Sequence, residues 1–301
     1  KTLNFGSENF SLTKPSDLRK KIVKISSLND YIQVVGVDVS CRRVGNTKEG
    51  VLCALRGTVV WKNEYAYQYN RYGPFLFHLT VEVEKTSEEN ELDINQPRLS
   101  FNENPNSMVG KVQIFVEKNI QRYVCKNLKN SIILLDGCLS VQNIDQETLN
   151  LARRNGNKVL AFTKKSEIRV NGEPITSLLK DETPPCILHL DEFLPYDFCQ
   201  TRLGWVFVVK LAEGSLGFRL DVDKGLPIEE AIKTIQRLLG NELVVQGYPE
   251  TLRIAHTLSI FTNLEILAIQ RFLSKKYNLK IQKPRNVRRM LFGPFGQWVD
   301  D

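Results

Sequence analysis

Two apolar runs in this chain each carry one carboxylate, and few folds tolerate an acid in such a place. Tyr31–Ser40 reads YIQVVGVDVS, and Ser131–Gly137 reads SIILLDG. β-Branched and aliphatic residues at this density specify strands, and a nearly continuous apolar run specifies a strand buried on both faces. An ionised carboxylate there is costly unless it is hydrogen-bonded, paired or bound to a cation. Asp38 interrupts the first run in mid-strand, where the alternative to a metal ligand is an acid satisfied by backbone donors or an arginine. Asp136 closes the second run, and Gly137 allows a sharp exit; an ordinary turn or helix N-cap is the alternative there. Ligands of open α/β sheets collect at the carboxyl ends of parallel strands. Two such acids, converging across a sheet, can hold a divalent ion.

The surrounding pattern predicts the frame. Val51–Trp61 and Glu64–Glu84 read as strands joined through Lys62 and Asn63, forming an antiparallel meander with the first. Thr86–Asn106 is an acidic, Asn/Pro-rich loop. Ser107–Leu128 has helical periodicity, with Val109, Val112, Val116, Ile120, Tyr123 and Val124 on one stripe. The Asp136 strand, a helix over Asp145–Asn155 closed by Gly156, and a strand over Lys158–Phe162 make a β-α-β unit. Residues 166–200 read as irregular, broken by Pro184, Pro185 and Pro195. Gly204–Ala212 and Leu216–Val222 form a hairpin. Pro227–Leu239 is an amphipathic helix with Gly240 just past its end, and Pro249–Tyr277 is the longest helix. A short helix is expected around Pro15–Lys24. A meander followed by parallel strands with crossover helices gives an α/β fold, a mixed sheet flanked by helices, of which the ribonuclease H-like plan is one example.

Composition narrows the chemistry. The six cysteines show no CxxC spacing and the chain has only three histidines, which disfavours a zinc ribbon, an iron–sulfur site or a His-rich hydrolase. Metal chemistry must lean on carboxylates, which suits hard oxygen-preferring ions. No window approaches 18 uninterrupted apolar residues, so no membrane partner is expected. The opening KTLNFGSENF lacks the apolar core of a secretory signal, and a cytoplasmic location is expected. The net charge of +7 favours polyanions. Glu117 stands at the edge of the helical stripe, facing either the sheet or water. His256 borders an apolar helix face, where a hydrogen-bonded core histidine is the ordinary explanation, and Tyr248 falls in the turn before that helix.

Taken together, VVGVDVS, the helix around FVEKN, IILLDGCLS, VLAFTKKS, FRLDV and GYPETLRIAH resemble the NurA nuclease family. The resemblance spans roughly residues 31 to 275; LLDG-CLS and GYP-x-x-L-x-x-A-H are its most specific parts. It implies a ribonuclease H-like nuclease domain over residues 31–280, with an N-terminal extension (1–30), a C-terminal hairpin and helices, and a basic, aromatic tail (281–301). The family's metal-binding aspartates fall on Asp38 and Asp136, its helix glutamate on Glu117, and its late tyrosine and histidine on Tyr248 and His256. Lys164, Lys165 and Ser166 match a lysine–serine turn beside the site. One departure is Val39, where the family usually has glycine or a small residue.

What the resemblance implies is a DNA nuclease using two Mn²⁺ or Mg²⁺ ions held by Asp38, Glu117, Asp136 and His256. His256 is either a ligand or the acid that protonates the leaving group, and Tyr248 orients a phosphate or the attacking water. Arg42, Arg43, Lys164, Lys165, Ser166 and Arg219 are candidates to grip the phosphate backbone, although the two lysines also suit a solvated turn. The implied partners are single- and double-stranded DNA, bound without sequence preference, a second copy in a homodimer, and a HerA-type translocase hexamer. The implied work, at the nucleoid, is 5′–3′ exonuclease and single-strand endonuclease processing of DNA ends for recombinational repair; the alternatives are a catalytically inactive DNA-binding or scaffold paralogue and another ribonuclease H-like nuclease, a resolvase or an RNA-cleaving enzyme. In the tail, Arg285, Arg288 and Arg289 are candidate DNA contacts. Leu291, Phe292, Phe295 and Trp298 suit either partner anchoring or packing on the chain's own core.

Overall fold

The computed structural model describes residues 11–12, 15–63, 66–80 and 105–282. The tail candidates Arg285, Arg288, Arg289, Leu291, Phe292, Phe295 and Trp298, and nearly all of the expected acidic loop, lie outside the described residues. The principal elements are β1 (Gln33–Asn46), β2 (Gly50–Lys62), β3 (Tyr67–Thr80), α1 (Pro105–Asn127), β4 (Ser131–Asp136), α2 (Gln146–Arg154), β5 (Lys158–Thr163), β6 (Cys186–His189), β7 (Gly204–Lys210), β8 (Phe218–Asp223), α3 (Ile228–Asn241), α4 (Glu250–Ser259) and α5 (Asn263–Tyr277). Among the described residues, nine strands make one mixed sheet in the order Val23–Lys24, β6, β7, β8, β5, β4, β1, β2, β3.

At its centre β1, β4 and β5 are parallel, with Val35 opposite Ile133, Val37 opposite Leu135 and Asp136 opposite Phe162. β8 and β7 extend the sheet antiparallel from β5. The meander follows from its turns. Thr47 and Gly50 close one through a backbone bond of 2.9 Å, and Asn63 and Ala66 close the next at 3.1 Å. Links this short join only antiparallel neighbours. β3 forms the sheet's edge and carries Pro74 at its midpoint, after Gly73 with φ +97°.

The contacts resolve into two compact units: Lys1–Val39, Gly57–Tyr72 and Val116–Ser259 in one; Ser40–Arg56, Gly73–Phe115 and Ile260–Asp301 in the other. In the first, strand periodicity sends alternate residues to opposite faces. Val34, Ile132, Leu134, Leu160, Phe162 and Leu220 pack against Ala231, Ile235 and Leu238 of α3 and Leu252 of α4. Val35, Val37, Ile133, Leu135 and Val159 pack against Val124 and Cys125 of α1 and Leu149 and Ala152 of α2. Even-numbered positions of β1 and β4 therefore face α4, and that is the face on which Asp38 and Asp136 lie. In the second unit Val44, Leu52 and Ala54 pack on Phe261 and Leu273.

Several expectations change. The single helix over Pro249–Tyr277 is two helices. Residues 260–262 are not helical, and Thr262 caps α5, accepting from the Glu265 amide while Glu265 reaches back to the Thr262 amide. The run 250–277 is apolar enough on average to cross a membrane by composition alone, yet it is interrupted here. The stretch 166–200 contains a true strand, β6, paired with β7. Gly240 lies inside α3 rather than beyond it; a Cβ there would sit 1.9 Å from the Leu28 carbonyl oxygen. That glycine serves a close backbone approach and not helix termination. The helix expected over Pro15–Lys24 ends at Arg19, and Val23–Lys24 pairs with β6. Tyr123 leaves the buried stripe of α1 and is 57% exposed.

Candidate metal-binding active site

Asp38 sits on β1 two residues after Gly36, and that glycine explains how a helix reaches it. A Cβ on Gly36 would lie 2.9 Å from the carbonyl oxygen of Thr251 and 3.1 Å from Cα of Leu252. α4 thus rests its backbone directly on β1, and its next turns pass over Asp38. There the Ser259 hydroxyl, fully buried, donates to Asp38 Oδ2, and His256 Nδ1 lies 3.4 Å from the same oxygen. The start of α4 is fixed independently. The buried Glu242 carboxylate accepts from the Thr251 amide at 2.8 Å and from the Thr251 hydroxyl at 2.5 Å, a negative charge placed where a helix N-terminus favours one.

Asp136 ends β4. Gly137, at φ +112°, takes the left-handed turn that lets the chain leave the sheet at once. Its amide donates to the Phe162 carbonyl at 2.8 Å, and its own carbonyl accepts from the Thr163 hydroxyl at 2.6 Å. The Asp136 position falls beside Asp38, one step past Val37 opposite Leu135, the last pair of the parallel β1–β4 register. Lys164 Nζ lies 2.6 Å from Asp136 Oδ2, and the Tyr248 hydroxyl donates to Oδ1 at 3.4 Å. Tyr248 is braced edge-on by Phe162 and tilted against Phe218. Burial and the nearby charges of Asp136 and Asp38 push its phenol upward, so it stays a neutral donor.

One ligand atom from each of Asp38, Asp136 and His256 lies within 4.8 Å of the others. Ligands at about 2.0–2.6 Å from a hard cation stand up to roughly 5 Å apart, so the three are close enough together to share one ion. Two carboxylates and one imidazole are a donor set compatible with a divalent metal ion. Glu117 falls outside that trio. It lies on α1, near Ile120, whose side chain covers Gly57 of β2. Burial, then the charges of Asp38 and Asp136, raise its carboxyl from 4.5 to about 7. Gln121 Nε2 donates to it at 3.3 Å. A carboxyl raised to about 7 can hold or release a proton near neutral pH, or accept a further cation.

The other expected contacts divide. Lys165 is exposed, and Ser166 spends its hydroxyl on the Ile168 amide, closing a turn at 3.2 Å. Arg42 and Arg43 are exposed but belong to the second unit, where they line a groove with Arg271 and Lys275. Arg219 is corrected outright: it is 1% exposed and its guanidinium is bidentate on the buried Asp221 at 2.8 Å. A guanidinium buried this deeply and already paired with a carboxylate is out of reach of a phosphate backbone. Sequence reasoning missed Ser259, seven residues after Leu252 on α4's buried face, because a serine on an apolar face carries no signal of its target. It missed the Lys164–Asp136 pair as well, since the residues are 28 apart in the chain.

No protein-family model and no curated protein matches the sequence. Solved structures do match in shape. The NurA nuclease of Sulfolobus solfataricus aligns over 88% of this chain and 90% of its own, with a TM-score of 0.51 and 16% identity. A NurA structure with manganese aligns over 87% and 91%, with a TM-score of 0.52 and 9% identity. The chain has the NurA fold. Within this NurA-type fold Asp136 stands at the carboxyl end of β4, where such sheets place ligands, and Asp38 lies on β1 just past its last parallel pairing with β4.

Proposed function

We propose that this chain is a divalent-metal-dependent DNA nuclease. The observation that carries the proposal is the convergence of Asp38, Asp136 and His256 at one end of a NurA-type sheet. Asp38 and Asp136 hold the metal, with His256 beside them. When bound, Mn²⁺ or Mg²⁺ stabilises charge on the scissile phosphate and lowers the pKa of water. Glu117, raised to about 7, supports a second ion or takes up a proton from the attacking water. Tyr248 orients a phosphate oxygen or that water through its neutral hydroxyl. Lys164, already beside the site, and Lys165 meet the backbone of the strand. The proposed nuclease domain spans residues 31–280.

The finer reading extends the resemblance. It is a cytoplasmic homodimer that works with a HerA-type translocase hexamer on DNA ends, as a 5′–3′ exonuclease and single-strand endonuclease in recombinational repair. The surplus of +7 per chain supports sequence-independent phosphate binding.

The test is cleavage of end-labelled single- and double-stranded DNA with Mn²⁺, Mg²⁺ or EDTA, for the wild type, Asp38→Ala and Asp136→Ala. Metal-dependent cleavage that falls to background in both variants is expected. Cleavage in EDTA, or full activity in either variant, overturns the mechanism; no cleavage under any condition, with or without the translocase, overturns the assignment as a nuclease.

A further inference from the structure

Away from the carboxylates, on the opposite face of the sheet, lies a cavity of about 270 Å³ between β1, β2, β3 and the last turns of α1. Its walls are unusual for a sheet surface. Trp61, Tyr72 and Tyr123 supply three aromatic rings, and Gln33, Asn70 and Asn127 supply three side-chain amides. The placement follows from strand periodicity: Gln68, Asn70 and Tyr72 alternate onto the face that carries Trp61. Trp61 is fixed there, its indole N–H donating to Gln68 Oε1 at 3.0 Å. Asn127 spends one donor on the Tyr123 carbonyl at 2.7 Å, leaving its oxygen available. Among the described residues, the Asn70 amide and the Tyr123 hydroxyl have no hydrogen-bond partner.

Flat rings offering stacking faces, with amides at their edges, are what a planar heterocycle bearing mixed donors and acceptors requires. Aromatic side chains stack any base, and side-chain amides pair with base edges. The cavity falls just below the roughly 300 Å³ at which pockets for drug-sized ligands begin, so it suits a single ring system.

We propose that this cavity is a subsite for one unpaired nucleobase of a single-stranded nucleic acid, resting on the reading of the chain as a DNA nuclease. It is separate from the chemistry. Glu117 and Asn127 are ten residues apart on α1, about 15 Å along its axis. A strand occupying both places spans at least about four nucleotides at the duplex rise. The subsite grips a base rather than phosphates, so it adds affinity that salt does not remove. It also favours frayed or single-stranded ends, whose bases are free to leave the stack, over intact duplex.

The experiment measures binding of a fluorescent oligothymidylate, and of the same backbone with abasic sites, to the full chain in EDTA. Wild type, Tyr123→Ala and Asn70→Ala are compared; both altered side chains are exposed, so folding is retained, and circular dichroism verifies it. Wild type should prefer the base-bearing strand by at least about fivefold, the low end for one stacked base. Tyr123→Ala should lose that preference while binding the abasic strand unchanged. Equal binding of the two strands by wild type, or a preference that survives in Tyr123→Ala, overturns the subsite and leaves the nuclease reading standing. No binding of either strand by wild type overturns both.

Discussion

Replacing Gly36 by alanine adds one methyl group, yet it strikes the contact on which the site depends. The new Cβ would lie 2.9, 3.0 and 3.1 Å from the Thr251 oxygen, the Thr251 carbonyl carbon and Leu252 Cα. All three are backbone atoms, so no side chain can rotate out of the way. Ordinary contact starts near 3.4 Å, and α4 must retreat by about half an ångström. Overpacking of this kind costs about 1–3 kcal/mol, or roughly 2–12 °C in Tm for a chain of this size. The retreat also moves His256 and Ser259 off Asp38. A misplacement of about 1 Å costs roughly a hundredfold in rate, so half that distance should cost about tenfold. Thermal unfolding and Mn²⁺-supported cleavage, measured on the same preparations, test both halves. Gly110→Ala is the control, because a Cβ there meets nothing within 4 Å and alanine favours the helix by roughly 0.5–1 kcal/mol. A Gly36→Ala protein with wild-type Tm would falsify the close-approach argument. One that melts early but cleaves normally would show that α4 does not position the site.

Arg219→Ala should cost stability, on the order of 3–5 kcal/mol for a broken buried pair, and leave DNA affinity intact; urea unfolding beside a binding titration decides, and the reverse pattern would put Arg219 in the path of the DNA. Ser259→Ala strips Asp38 of a buried donor and should cost about 1–3 kcal/mol at neutral pH, with reduced cleavage; unchanged cleavage rules out a positioning role for the serine. Glu117 holds its proton more tightly folded than unfolded, so between pH 4.5 and about 7 its ionisation destabilises the metal-free protein as pH rises. Glu117→Gln should therefore gain on wild type above about pH 7 and show no such gain below about pH 4, read as Tm against pH in EDTA; an equal offset at both ends refutes the shift.

The central strands and the two aspartates were legible because a carboxylate in an apolar run contradicts its own neighbourhood. The β-α-β unit was legible for a related reason: Asp145–Gly156 carries a start, a period and a stop. What stayed hidden depends on distant partners. Gly240 has the look of a helix terminator, and only the Leu28 carbonyl beside it explains why it lies within α3. The break after Ser259 rests on one Thr262–Glu265 capping box, a signal that the apolar periodicity on both sides of it overrides. Arg219 alternates in a strand like an exposed residue; its partner Asp221 is only two residues on, but which face of β8 is buried is set by the elements packed around it. β6 is four residues long, too short for periodicity to assert itself among prolines.

The rims of the sheet limit how this protein behaves when crowded. An exposed strand edge is a template for the next chain, and extended edges seed fibrils. Here one rim is the two-residue strand Val23–Lys24, too short to start a ladder. The other, β3, is interrupted at Pro74, which has no amide hydrogen to donate. A newcomer strand could not register along its full length. Neither rim gives the sheet a long, unbroken template on which growth could be seeded.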